Sequence, residues 1–318
     1  LQLVPVLASN SVLNISDVTK YYGKFKALDS VSFSVDKGWV YGYLGPNGAG
    51  KTTTIRIMLG LLEPNRGEVQ IGGVNPIKDP VQAFRSVGYA SELPTLQTFF
   101  TAEQLLDFMG KMFRLSTQAR KEKTWQLLNL VGLKEWGKRK IGTYSKGMVQ
   151  RLSLALALIN DPMVLIMDEP TIGMDPEAAV NFRNLFINLS KEGKTIFISS
   201  HLLDEVQRIC THVGMINKGK ILFSGPIDQV LDAFTQKWVV EVELEKVSEK
   251  IVSSLKTLDS VGDVKVDGNR LMIELKEKKD VRGEISSEIF KQQGVLLSLN
   301  LRKITLEDAY LQALKGGQ

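Results

Sequence analysis

The sequence predicts an α/β domain built on a parallel sheet, followed by a smaller α+β domain. Three observations carry that expectation. The apolar stretch from Trp39 to Leu44 runs directly into a glycine-rich loop and then a helical pattern, the order of a strand–loop–helix unit. A second apolar run, Met163 to Met167, reads as a strand buried on both faces of a parallel sheet. Beyond about residue 235 the pattern changes. There Val240, Val242 and Leu244 alternate with Glu241, Glu243 and Glu245, as in a strand with one buried face.

Val12 to Ile15 leads in as a strand, and Val31 to Val35 alternates strictly before the turn Asp36-Lys37-Gly38. A helix is expected from Thr52 to Leu62, ending near Pro64, and Gly67 to Gly73 is a short strand with a turn. From about Thr101 to Asn160 the pattern is helical: Thr101 and Gln104 form a capping box ahead of Leu105, Leu106, Phe108, Met109 and Met112. Strands return at Met163 to Met167 and Thr195 to Ser199. Between them a helix runs from Pro176 to about Lys191 and is closed by Gly193. Val213 to Ile216 and Lys220 to Phe223 flank Asn217-Lys218-Gly219 as a hairpin.

The last part reads strand, helix near 248–258, two strands around Asp267-Gly268, helix near 280–292, and the strand Leu297/Leu299/Leu301. That order is β-α-β-β-α-β, the ferredoxin-like arrangement. A final helix begins at Thr305 with Asp308 in capping position. A boundary near residues 226–236 separates a domain over 12–230, with a helical insert at about 95–160, from one over 236–318.

The 318 residues are 43% hydrophobic and 24% charged, ordinary for a globular protein with room for two cores. The formal charge of +5 suits phosphate ligands, nucleic acid or an anionic membrane face, and chooses none of them. One cysteine, Cys210, excludes an intrachain disulfide and a cysteine-rich metal cluster, and fits a reducing cytosol. No run of eighteen apolar residues is present. Residues 1–11 are set aside as an extension: Leu1 to Ala8 is apolar but lacks the basic start of a signal peptide.

Gly45-Pro46-Asn47-Gly48-Ala49-Gly50-Lys51-Thr52 fits G-x-x-x-x-G-K-[ST] between a strand and a helix, the context this phosphate-binding loop requires. Glycines let backbone N–H groups close around phosphate, and the helix N-terminus adds partial positive charge. Lys51 supplies a charge for the β- and γ-phosphates, the Thr52 hydroxyl is a magnesium ligand, and Thr53 completes the nucleotide-binding set. Asp168 and Glu169 end the second apolar strand, where ligands bind in open α/β sheets. Asp168 can hold magnesium through water, and Glu169 can orient or deprotonate the attacking water. The core is thus a P-loop NTPase (RecA-like) fold.

At this point the chain resembles the ATP-binding cassette (ABC) family in its transporter ATPase form, over about residues 12–225. Tyr144-Ser145-Lys146-Gly147-Met148, followed by Gln150-Arg151-Leu152, is similar to the family signature, and Asp168-Glu169-Pro170-Thr171 continues into Gly173-Met174-Asp175-Pro176, similar to its D-loop. The resemblance implies an antiparallel β subdomain, ATP and Mg2+ as cofactors, and His201 as the switch histidine on the γ-phosphate. It also implies a second cassette pairing head to tail, as homodimer or related heterodimer, whose Ser145 and Gly147 meet the phosphate held by the first. Tyr22 occupies the adenine-stacking position, with Tyr21 the stacker if the alignment slips by one.

The chain departs from the family pattern in two of its motifs. Glu92 stands where a glutamine usually joins metal and attacking water, and Lys146 and Met148 replace two signature residues. Both resemble exporter-type cassettes encoded apart from their membrane subunits, often with a C-terminal accessory domain. The function implied is ATP hydrolysis powering transport through a separate integral membrane permease. The chain would then be cytoplasmic, peripheral on the inner face of the cell membrane, with no nucleic acid partner. The alternative is a soluble ABC ATPase acting in DNA repair or translation, but such proteins usually carry long coiled coils or two cassettes, absent here. A GTPase would want Asn-Lys-x-Asp, and Asn217-Lys218-Gly219-Lys220 lacks the Asp. The cations Arg120, Lys121, Lys123, Lys138, Arg139 and Lys140 read as a solvated helix face or a contact for anionic headgroups or an acidic loop.

Overall fold

The computed structural model describes residues 10–172, 174, 176–234, 238–302 and 304–316. The chain divides into two compact units after Ile227. In the first, β1 (Ser11–Tyr22) and β2 (Phe25–Asp36) form a long antiparallel hairpin. Then come β3 (Val40–Leu44), α1 (Lys51–Met58), β4 (Arg66–Ile71), α2 (Pro80–Ser86) and β5 (Val87–Ala90). The helical part holds α3 (Ala102–Met112), α4 (Thr117–Leu130) and α5 (Lys146–Ala157). It is followed by β6 (Val164–Asp168), α6 (Pro176–Lys191), β7 (Thr195–Ser200), α7 (Leu203–Ile209), β8 (His212–Asn217) and β9 (Lys220–Pro226).

The central sheet has the order β5-β6-β7-β3-β8-β9, parallel except for β9, which pairs antiparallel with β8. Alternation of side chains gives this sheet two buried faces. Leu165, Met167, Ile196 and Ile198 pack into a core shared with α3, α4, α5 and α6. Val164, Ile166, Tyr41, Tyr43 and Phe197 face the other way, against α1 and the three-stranded antiparallel sheet β2-β1-β4. Phe33 stacks on Tyr41 and Phe197 at ring separations of 5.3 and 6.0 Å, joining the two sheets. Because β3, β6 and β7 are adjacent and parallel, their C-terminal ends emerge side by side. That single fact gathers the site.

Local sequence explains the element ends. Thr101 and Gln104 cap α3 reciprocally as the capping box requires, and Ser116 and Ser145 cap α4 and α5. The expected helix to Leu62 is shorter: α1 stops at Met58, where the chain turns through Leu59 and Gly60 (φ 65°). The hairpin β1–β2 runs well past the expected strand at Val12 to Ile15, carrying Tyr21 and Tyr22 to its turn.

In the second unit the described elements are α8 (Ile227–Phe234), β10 (Val239–Leu244), α9 (Glu249–Lys256), β11 (Val261–Asp267), β12 (Arg270–Leu275), α10 (Arg282–Lys291), β13 (Leu296–Arg302) and α11 (Leu306–Gly316). The sheet order is β11-β12-β10-β13, all antiparallel. One face buries Val240, Val242, Leu271 and Ile273 against Ile251, Leu255, Ile285 and Ile289. A register shift between Glu243 and Leu244 pairs Leu244 with Leu296, so Leu297 points out to solvent rather than joining Leu299 and Leu301. Thr305 caps α11 by exchanging hydrogen bonds with Asp308. Among the described residues no helix is long and apolar enough to cross a membrane.

Candidate nucleotide site

The loop after β3 is pinned at both ends. Gly45 N–H donates to the Ser200 carbonyl at the end of β7 (3.3 Å), and Gly219 N–H donates to the Ala49 carbonyl (2.9 Å). Gly50, the N-cap of α1, sits at φ 114°, and Leu28 Cδ2 lies 2.7 Å from where a Cβ would stand. No other residue fits that backbone and that space. α1 therefore opens toward the loop with its first N–H groups free for an anion.

Lys51 is the first residue of α1, and its side chain is only 7% exposed. Its ammonium donates to the Gly45 carbonyl at 2.7 Å and lies 3.2 Å from Glu169 Oε1. The other carboxylate oxygen, Oε2, is 3.0 Å from His201 Nδ1 and accepts the His201 backbone N–H at 3.3 Å. One buried carboxylate thus holds the loop lysine and the histidine together. Such a pairing is costly to break on one side alone, since it leaves a buried charge uncompensated.

Glu169 follows β6 directly at φ 47°, a left-handed conformation unusual for a residue with a side chain. Ser199 stabilises it: the Glu169 N–H donates to both the Ser199 carbonyl (3.1 Å) and the Ser199 hydroxyl (3.2 Å). The same hydroxyl donates to Asp168 Oδ1 in a short hydrogen bond. Burial pushes the Asp168 carboxyl above its usual range; the Ser199 hydrogen bond and Lys51 oppose this, while the Glu169 and Glu92 charges add to it.

A cavity of about 250 Å³ opens over this cluster. Of the sequence-expected residues, Tyr22, Pro46, Asn47, Gly48, Gly50, Lys51, Thr52, Thr53, Glu92, Asp168 and Glu169 line it. Gly45 and Ala49 are buried beneath the loop, and His201 reaches the cluster through Glu169. Tyr22 lines the cavity and Tyr21 does not, which separates the two candidates for base stacking. Ser145 and Gly147 lie elsewhere, at the N-terminus of α5, where the Ser145 hydroxyl accepts the Met148 N–H at 3.3 Å. Asp175 lies outside the described residues.

Two residues outside the sequence-expected set also serve the site: Phe25, which lines the cavity along with Tyr22, and Ser199, which braces both acids. Ser199 was open to notice as a hydroxyl at the end of a buried strand, two residues before His201. Cys210 and His212 belong to the scaffold. Burial pushes the Cys210 thiol up, while His212 stacks on Trp39 at 3.4 Å between ring centres, its pKa lowered by burial to about 4.

Oxygen donors from Thr52, Glu92 and Asp168 on one cavity are the chemistry a hard divalent cation takes, and a cation there would relieve the repulsion felt by Asp168. The fit to Mg2+ is good.

A family model described as ABC transporter matches residues 28–172. The chain is 34% identical to the bacitracin transport ATP-binding protein BcrA of Bacillus licheniformis, over 97% of this chain and 99% of that protein. It is 32% identical to the linearmycin resistance ATP-binding protein LnrL of Bacillus subtilis, over 94% and 97% of the two chains. A solved ATP-binding subunit of an ABC transporter superposes with a TM-score of 0.66 at 29% identity, covering 70% of this chain and 93% of that one. With the phosphate loop and the paired acids on one cavity, and the histidine bonded to one of those acids, these similarities show that the chain belongs to the ABC transporter family, as an ATP-binding subunit whose activity is ATP hydrolysis coupled to transport.

Proposed function

We propose that this subunit binds Mg·ATP in the cavity under Tyr22 and hydrolyses it with Glu169 as the base, in a site completed by a second cassette. The observation that carries this reading is the clamp on Glu169, held by Lys51 on one oxygen and His201 on the other. Lys51 and His201 are also the groups suited to a γ-phosphate. A γ-phosphate therefore takes the place of Glu169 as their partner, and Glu169 is freed to accept a proton from water. Thr52, Glu92 and Asp168 would hold the magnesium ion, which offsets phosphate charge when bound. The loop N–H groups and Lys51 orient the phosphates, and Tyr22 with Phe25 offers rings to the base.

Ser145 and Gly147 stand at a helix N-terminus, where hydroxyl and N–H donors suit a phosphate, yet they are absent from the cavity lining of their own chain. A second cassette, arranged head to tail, uses them. Such pairing is isologous in a homodimer, each chain lending the same patch.

The permease partner docks beside the helical part. Phe99, Phe108 and Met112 are exposed at 65%, 48% and 67%, more apolar surface than a solvated helix pair needs. The same unit carries a groove lined by Tyr89, Leu96, Met109 and Phe113. With that partner the subunit sits on the cytoplasmic face of the membrane, held there by it. Export is the direction favoured, because one relative similar over nearly the whole chain is a resistance protein. The second unit, with its own core, serves as an accessory domain for pairing or regulation.

The tagged full chain, purified from native membranes, is expected to retain a multi-spanning integral protein, and the double substitution F99D/M112E to release it. Recovery of soluble partners alone contradicts the reading.

A further inference from the structure

The helix that carries Ser145 and Gly147 is joined, within one chain, to the loop that carries Glu92. Gln150, five residues beyond Ser145 on α5, is 3% exposed, and its side-chain Nε2 donates to the Ser91 carbonyl at 3.3 Å. Ser91 directly precedes Glu92, and Glu92 lines the nucleotide cavity close enough for its charge to bear on Asp168. At the other end of the same helix the contact is backbone to backbone. A Cβ at Gly88 in β5 would overlap the Ala157 carbonyl oxygen, so β5 lies directly on the last turn of α5.

Between those two contacts the segment from Gly88 to Glu92 has little freedom relative to α5. Gly88 is held by shape and Ser91 by a directional hydrogen bond. A buried side-chain amide that loses its acceptor is left with an unsatisfied donor, so the hydrogen bond ties Ser91 to Gln150. Among the described residues, no hydrogen bond or ion pair fixes Glu92 independently of this tie.

We propose that Gln150 is a positioning residue for the ATPase reaction: it sets Glu92 at the metal-binding side of its own cavity by holding the Ser91 carbonyl against α5. The inference rests on the reading of Glu92 as a metal-holding residue. Because α5 begins with Ser145 and Gly147, the same tie makes the metal side of one site and the phosphate donors lent to the other site parts of one body. A displacement of the 91–96 loop by a docked partner then reaches both.

The test is a double-mutant cycle on the full chain, with Q150L and E92A made singly and together, and Q150M as a second variant at the same position. Steady-state hydrolysis is titrated with Mg2+, and ATP binding is measured separately in EDTA. Q150L and Q150M are expected to raise the Mg2+ concentration at half-maximal activity by about tenfold. Their metal-free ATP affinity should stay within about twofold of wild type, which also establishes that they fold. In the E92A background Q150L should add nothing further, since residues acting through one contact are non-additive. Wild-type Mg2+ dependence in both Gln150 variants overturns the proposal, and so does a full additive effect on top of E92A. If E92A itself leaves the Mg2+ titration unchanged, the reading of Glu92 fails instead, and the two failures are distinguishable.

Discussion

The Lys51 ammonium lies 3.2 Å from Glu169 Oε1, and both side chains are 7% exposed. On the proposed reading, the lysine suited to the γ-phosphate is thus held by the carboxylate that serves as the base. Lys51→Ala removes a charge-assisted phosphate contact worth about 1.5–3 kcal/mol. ATP affinity is expected to fall by roughly ten- to a hundredfold, read by titration with a fluorescent ATP analogue. An unchanged Kd contradicts the role of the loop lysine.

Asp168 ties function to a cost in stability. Its carboxyl is held above the usual range, chiefly by burial. A raised acid favours folding when protonated, so that contribution is present below the unfolded pKa and lost as pH rises through the folded value. Asp168→Asn carries no such loss. The variant is expected to melt higher than wild type at neutral pH and to converge with it in acid, while losing Mg2+-stimulated hydrolysis. Parallel melting curves from pH 3 to 8 check this, and a variant less stable than wild type at pH 7 counts against it.

Tyr22 lines the cavity and Tyr21 does not. Loss of a base–aromatic stack costs about 1–3 kcal/mol and is tolerant of the base. Tyr22→Ala should weaken ATP and GTP alike by roughly five- to a hundredfold, with Tyr21→Ala near wild type. Equal losses from both variants would remove the distinction between them.

The chemistry was legible in the sequence wherever it is local in the chain. The phosphate loop declares itself because backbone conformation, helix terminus and lysine all fall within eight residues, 45–52. The acids at Asp168 and Glu169 were readable from a buried strand ending in carboxylates. What brings Glu169 to His201, 32 residues on, is the parallel pairing of β6 with β7, which no local pattern encodes. Ser199 was missed for the same reason: its importance lies in the neighbouring strand. The six-stranded order β5-β6-β7-β3-β8-β9 is likewise a property of crossovers and long-range packing. In the second unit the alternation of β10 was clear, yet the phase at Leu296 and Leu297 was not, because a bulge moves the buried position by one residue.

On the proposed function, Glu169 is the base of a hydrolytic site completed by a second cassette. Glu169→Gln keeps the shape of the side chain and removes its basicity, so Mg·ATP should still bind. Hydrolysis is expected to slow by at least about a hundredfold, the scale of general-base catalysis. Sedimentation of the variant with Mg·ATP should show a dimer that is absent with Mg·ADP and lost on adding S145R. Near-normal turnover with a monomer under every nucleotide condition would contradict both the base and the shared site.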